Sequence, residues 1–298
     1  MTSVPAMTAP DPDHVAVVVT SYEPDQRLRL LVDVLCRWPG PVIVVDDGSS
    51  APIDPGPEVE WVRHPHTLGV AAALNSGLRS ARAAGATHVV TFDQDSLVDQ
   101  HFLPDLVEAW RNAPAVGLAP GVVAPRDPGD VRYRGHRAGR YLRTTEVVQS
   151  GAMFSLAHLA EIDDFQESLV IDGVDTQACL RLAERGYDVL CVDLAFEHQL
   201  GEARGLDLGS RRVLITGHPP NRHYYMTRNR LLLVREHALR RPGWAIATVR
   251  KTVVAAALTA LFDEDRAHKV PAIGRGVRDA VRGRRGPISA RRAPSRRP

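Results

Sequence analysis

A chain of 298 residues, 44% hydrophobic and 24% charged, is long enough to bury a sizeable core without crosslinks. Its three cysteines, Cys36, Cys179 and Cys191, are odd in number and lack Cys-x-x-Cys spacing, which argues against a disulfide framework or a cysteine zinc site and fits a reducing cytoplasm. The overall charge of +2 is uneven: Arg266–Pro298 holds eleven Lys/Arg against the single acid Asp279, so the first 265 residues carry −8.

Residues 1–13 show no charged start followed by an apolar run, so they read as a disordered leader rather than a signal peptide or anchor. His14–Thr20 is an apolar, β-branched run, and leucine and valine spacing predicts a helix over Asp25–Trp38. Pro41–Val45 is a short, wholly apolar strand that stops at Asp46-Asp47-Gly48-Ser49-Ser50, a turn cluster. A third strand over Glu58–Arg63, an Ala-rich helix over Gly69–Ala84 and a fourth strand over Thr87–Phe92 complete an alternation that predicts a doubly wound α/β sheet. Ligands of such sheets sit beyond the carboxyl ends of the strands, where Thr20, Asp46 and Asp93 all fall.

The fourth strand ends in Asp93-Gln94-Asp95. Positions one and three of an extended segment face the same way, so Asp93 and Asp95 can share a cation while Gln94 turns aside. Paired carboxylates suit Mg²⁺ or Mn²⁺, ions that take further ligands from water and substrate phosphates, which points to a phosphorylated donor. The competing reading is a strand ending in a solvated acidic turn.

Downstream, His101–Asn112 is helical, Ala115–Ala124 gives one or two strands interrupted at Pro120-Gly121, and Arg132–Arg143 reads as an exposed loop or hairpin. Ser150-Gly151 puts small residues in an apolar setting, suited to close approach of a ligand or to a bulge. A helix over Val174–Arg185 closes at Gly186, Tyr187–Leu194 is a strand, and helices follow over Asn221–Leu239 and Trp244–Phe262. Thr252–Phe262 is uncharged, but eleven residues fall short of the ~20 that cross a bilayer. No Gly-x-Gly-x-x-Gly follows the first strand, which disfavours a dinucleotide-dependent oxidoreductase.

Taken in order, Thr20-Ser21-Tyr22, Asp46-Asp47-Gly48-Ser49, Leu68–Leu78, Asp93-Gln94-Asp95-Ser96, Ser150-Gly151, Val170–Leu182, His198 and Arg222–Asn229 resemble family 2 glycosyltransferases, most closely their bacterial rhamnosyltransferase-like branch. The resemblance implies a GT-A fold: a Rossmann-like, mostly parallel sheet flanked by helices, here followed by C-terminal helices and a basic tail. It assigns donor binding to Thr20, Ser21, Tyr22, Asp46, Asp47, Asn75, Gln94, Ser150 and Gly151, and metal binding to Asp93, Asp95 and His198. Arg222 and Arg228 would meet the donor diphosphate or an anionic lipid carrier. Asp175 matches the general base of a single inverting displacement, with Asp172 as runner-up. The family often has an acid two positions after that base, and this chain has Gln177 instead.

The implied function is metal-dependent transfer of a sugar, best matched by rhamnose from dTDP-rhamnose, to a glycan or polyprenyl-linked glycan in cell-wall or surface polysaccharide synthesis. The alternatives are a galactofuranosyl- or other hexosyltransferase using a UDP-sugar, or a GT-A domain that binds without turnover. Expected domains are the leader (1–13), the transferase domain (14–240), a C-terminal helical region (241–283) and a disordered basic tail (284–298). The tail and the apolar helix suit peripheral contact with anionic lipid on the inner face of the cell membrane. Nucleic acid is ranked last as a partner, because no stacking-aromatic motif accompanies the arginines.

Overall fold

The computed structural model describes residues 10–11, 14–126, 133–198, 203–208 and 211–288, with backbone only at 197–198, 203–208 and 211–216. The chain divides into two compact units, residues 1–166 with 173–218, and residues 167–172 with 219–298.

The first unit is built on a nine-stranded sheet. In chain order its strands are β1 (Val15–Ser21), β2 (Val42–Asp46), β3 (Glu60–Arg63), β4 (His88–Asp93), β6 (Pro120–Pro125), β7 (His136–Ala138), β8 (Tyr141–Arg143), β9 (Ala152–Ser155) and β10 (Asp188–Val192). Spatially they run β3-β2-β1-β4-β9-β6-β10-β8-β7. Strands β9 and β8 pair antiparallel to their neighbours, and the other seven point one way, so the mostly parallel sheet is realised. The valine runs of β1 and β2 are buried along their whole length, as strands covered on both faces require.

Helices α1 (Arg27–Leu35), α2 (Val70–Ala83), α3 (Phe102–Asn112), α4 (Leu156–Ala160) and α5 (Val174–Glu184) flank the sheet. Leu28, Leu31, Val32 and Leu35 of α1 join Phe102, Leu106 and Trp110 of α3 in one core with Val17, Val19 and Phe92. Each such side chain contributes about 1.5–3 kcal/mol by leaving water. Two short ladders complete the unit: β5 (Ser96–Leu97) with β11 (Glu197–His198), and the hairpin β12 (Ala203–Leu208) with β13 (Arg211–Thr216).

Some expectations need correction. Pro120-Gly121 begins β6 instead of interrupting it, because a first-position proline gives up no ladder bond that the strand needs. Of the loop or hairpin expected over Arg132–Arg143, the structure forms the hairpin, β7–β8, anchored where Tyr141 Oη donates to Ala109 O at 2.7 Å; residues 127–132 lie outside the described residues.

The second unit holds α6 (Pro220–His237), α7 (Pro242–Phe262) and α8 (Arg266–Val281). Helix α6 belongs to this unit, because it packs on α8. Gly276 permits that crossing, since a Cβ there would lie 2.8 Å from Tyr224 O. The basic segment is therefore not a free tail from 284: Gly286 N–H donates to Ser168 O at 2.7 Å and Ile288 N–H to Tyr225 Oη at 2.8 Å. Residues 289–298 and 1–9 lie outside the described residues, whereas Pro10 is fixed by Arg111 Nε donating to its carbonyl at 2.6 Å. The eleven-residue argument against a membrane span also falls: α7 runs back through Arg250 and Lys251 to Pro242, and its 21 residues are long and apolar enough to cross a membrane by length and composition.

Candidate active site

The register of three parallel strands assembles the site. Thr20 lies opposite Asp93, and Ser21 opposite Asp46, so the ends of β1, β2 and β4 share one edge. Strand β9 runs antiparallel to β4 and pairs Ala152 with Thr91, which brings the turn before β9 to the end of β4. Ser150 and Gln149 thereby join the carboxylates. The Asp93 N–H donates to Ser150 Oγ at 3.0 Å, Gln149 Nε2 donates to Asp93 Oδ1 at 2.6 Å, and Thr20 Oγ1 reaches the same oxygen at 3.4 Å. Ser150 Oγ also pairs with Ser96 Oγ at 2.6 Å, clamping both sides of the acidic turn.

Asp93 ends its strand, and Gln94-Asp95 form a turn, so the two carboxylates are not successive same-face positions of one extended strand. Gln94 does turn aside: Tyr22 N–H donates to its Oε1 at 2.8 Å and its Nε2 donates to Tyr22 O at 3.1 Å. That two-point clamp fixes the backbone of Tyr22, whose side chain stays 51% exposed and open to stacking.

The acids after β2 are buried and engaged. Asp46 accepts from the Ser49 N–H at 3.3 Å, from the Ser49 hydroxyl, and from Arg63 Nε at 3.3 Å. Asp47 accepts from the Leu68 and Gly69 amides at 2.9 and 2.8 Å, and His64 Nδ1 lies 2.8 Å from its Oδ1. Its oxygens thus shape the approach to α2. The Glu23 N–H donates to Ser49 Oγ at 2.7 Å, tying the loop after β1 to the turn after β2.

Asn75 clamps a backbone: its Nδ2 donates to Phe165 O at 2.9 Å and its Oδ1 accepts from Phe165 N–H at 3.1 Å. Gly151 takes φ 76° and a Cβ there would lie 2.9 Å from the Phe196 ring, so packing against an aromatic ring explains the glycine. Ser21 is buried, and its carbonyl accepts from the Asp47 N–H at 2.8 Å.

Asp175 stands in the first turn of α5, where Oδ1 accepts from the Thr176 N–H at 2.7 Å, and Thr176 Oγ1 donates to Glu146 at 3.1 Å. Gln177 is only 1% exposed, so an acid there would carry a desolvation penalty that the neutral amide avoids. In the other unit, burial pushes the Asp172 carboxyl up, opposed by Arg222, whose Nε donates to Asp172 Oδ1 at 3.3 Å.

Arg228 and Asn229 are 1% and 0% exposed and serve the loop before α5. Asn229 Nδ2 donates to the carbonyls of Leu169, Ile171 and Asp172 at 2.8–2.9 Å, and Arg228 to those of Leu169, at 3.2 Å, and Gly286. Val170 and Asp172 there hold φ of 69° and 63°, a costly left-handed conformation for a β-branched residue above all. The guanidinium of Arg228 meets backbone carbonyls in this structure, where the resemblance implied a diphosphate or an anionic lipid carrier.

The described residues include no group of three His, Cys, Asp or Glu able to hold a metal. The backbone nevertheless brings His198 to the acidic turn: the β5–β11 ladder sets it opposite Ser96, next in sequence to Asp95. Of the supporting residues, Gln149 went unassigned by the sequence reading, although it directly precedes the Ser150-Gly151 pair.

The profile of Glycosyl transferase family 2 matches residues 16–166, half of the chain, spanning β1, the acidic turn and the Ser150 segment. The chain belongs to this family. It is therefore a glycosyltransferase, working from a nucleotide-sugar. The dTDP-rhamnosyl transferase RfbF of Shigella flexneri is 26% identical over 92% of this chain and 96% of its own length. The pre-mycofactocin glycosyltransferase of Mycobacterium tuberculosis is 30% identical over 59% of the chain but only 40% of its own length. Among solved structures, S. aureus TarS 1-349 in complex with UDP covers 90% of this chain and 91% of its own, with 15% identity and a TM-score of 0.48. The nine-stranded sheet with its flanking helices matches the expected α/β GT-A architecture.

Proposed function

We propose that the protein is an inverting, metal-dependent rhamnosyltransferase that moves rhamnose from dTDP-rhamnose to a glycan or polyprenyl-linked glycan of the cell surface. The observation that carries the reading is the strand edge where Asp93, with Asp95 in the turn after it, meets Thr20 and Asp46, combined with a likeness to RfbF that spans nearly the full length of both chains. The donor set fits a divalent cation: two carboxylates at a strand end, with a histidine brought opposite the turn. Mg²⁺ or Mn²⁺ bound there by Asp93, Asp95 and His198 would neutralise the charge of the donor diphosphate.

The chain's own residues divide the remaining work. Tyr22, fixed through Gln94, offers a ring to the thymine base, and Asp46 stands beside it at the edge. Gln149 and Ser150 hold Asp93 in place. Asp175 takes the proton of the acceptor hydroxyl as its oxygen forms a bond to the anomeric carbon. The bond from that carbon to the diphosphate breaks, and the nucleoside diphosphate leaves from the opposite face.

The test is a panel of nucleotide-sugars, with and without Mn²⁺, read first as thermal stabilisation and then as transfer. Stabilisation by dTDP-rhamnose that needs the metal and disappears in Asp95→Ala, with that variant's own melting unchanged, is the expected result. Stabilisation by UDP-sugars alone would replace rhamnose, and full activity of Asp95→Ala in chelator would overturn the metal role.

A further inference from the structure

Helix α7 is inside out. Its buried stripe is Ala245, Thr248, Thr252 and Thr259, on the side that packs against α6 and α8. At 100° per residue the opposite face carries Ile246, Val253, Val254 and Leu261, with Ile246 71%, Val253 62% and Leu261 68% exposed. Among the described residues, ten of the fifteen exposed large hydrophobics lie after residue 238, so the apolar exposure is concentrated in this unit. Apolar surface gathered in this way marks a contact with something apolar.

We propose that the outward face of α7 is a lipid-contacting surface, seated on a leaflet rich in anionic head groups. The choice of occupant rests on Arg250, which is exposed and lies within the valine and leucine face. No Asp or Glu occurs anywhere in Pro242–Phe262. If a second copy covered this face symmetrically, Arg250 of both copies would be desolvated with no acid from α7 to meet it, an expensive arrangement. At a bilayer its long stem lies along the apolar surface while the charged end reaches lipid phosphates. The first acid past the helix, Asp263, is already engaged by Lys269 Nζ at 2.8 Å. The helix, about 31 Å long at 1.5 Å per residue, lies along the interface, because its threonine stripe is occupied by α6 and α8. This surface goes beyond the transferase reading and does not depend on which sugar is moved.

The experiment is co-sedimentation of the full-length protein with phosphatidylcholine vesicles and with vesicles of phosphatidylcholine mixed with phosphatidylglycerol. The protein is expected to pellet with the mixed vesicles and to stay in solution with the neutral ones. Arg250→Gln should lower partitioning by roughly fivefold, and Val253→Glu should abolish it, with far-UV melting unchanged. Should Val253→Glu fail to fold, the pair Ile246→Ser and Leu261→Ser gives the same readout. Equal binding to both vesicle types, or binding to neither, would overturn the proposal. So would a lipid-free dimer in light scattering that Val253→Glu splits, which would assign the face to a second copy. Donor stabilisation measured on the same preparations separates failure of this surface from failure of the transferase reading.

Discussion

Asp175 and Asp172 are three residues apart and meet different surroundings. Asp175 accepts a helix amide, whereas Asp172 is pushed up by burial and held by Arg222. Asp175→Asn is expected to bind donor normally and to turn over at least ~10²-fold more slowly, the usual scale of a lost general base. The same loss from Asp172→Asn, with Asp175→Asn active, would exchange the two roles. Arg228 and Asn229 lead to a separate prediction, since they satisfy carbonyls of a loop held at φ of 69° and 63°. Asn229→Ala leaves the carbonyls of Ile171 and Asp172 without this donor and should cost roughly 2 kcal/mol in urea unfolding. Arg228→Lys should lower the melting temperature and kcat while leaving KM for the donor unchanged. A raised donor KM at unchanged stability would return Arg228 to the diphosphate.

At the scale of elements, the site depends on the direction of β9. A parallel β9 would carry Gln149 and Ser150 to the far end of β4, away from Asp93. Strand β4 also holds a titrating group, because burial, with a smaller contribution from His158, lowers His88 from 6.5 to about 4. The sign follows from which state takes up the proton first. Above pH 6.5 the imidazole is neutral folded and unfolded, and its contribution to stability is fully present. As pH falls, the unfolded chain binds the proton first, so stability declines until the folded histidine titrates near 4. Wild-type urea midpoints should therefore drop between pH 7 and pH 5, and a His88→Gln variant should show a shallower drop; equal slopes would assign the pH dependence to other groups. Between α6 and α8, Gly276→Val has no room beside Tyr224 O and should destabilise the second unit, seen as lost protection of α8 amides from hydrogen exchange.

At the scale of the whole molecule, the C-terminal segment is built into the second unit up to Ile288. A chain ending at Ile288 keeps the contacts of Gly286 and Ile288 and is the reference truncation. Deleting 284–298 removes the Gly286 N–H bond to Ser168 O and the Gly286 carbonyl that Arg228 uses, and should lower stability by roughly 1–3 kcal/mol. Equal melting of the two truncations would show that these contacts contribute nothing.

The sequence alone determined the strands and what stands at their ends. Runs such as Val15–Val19 and Val42–Val45 are apolar without alternation, a local pattern that marks a strand buried on both faces, and each stops where polar residues begin. Thr20, Asp46 and Asp93 could thus be put on one edge before any coordinates, since parallel strands carry their carboxyl ends to the same side. Pairing partners are not local. Only tertiary structure inserted β9 between β4 and β6 in reverse, set His198 opposite Ser96 about a hundred residues away, and turned Arg228 and Asn229 inward to the carbonyls of 168–172. An arginine motif reads the same whether its donors meet phosphate or peptide oxygen. The difference lies in which backbone lies within about 3 Å, and that is fixed by long-range packing rather than by neighbours in the chain.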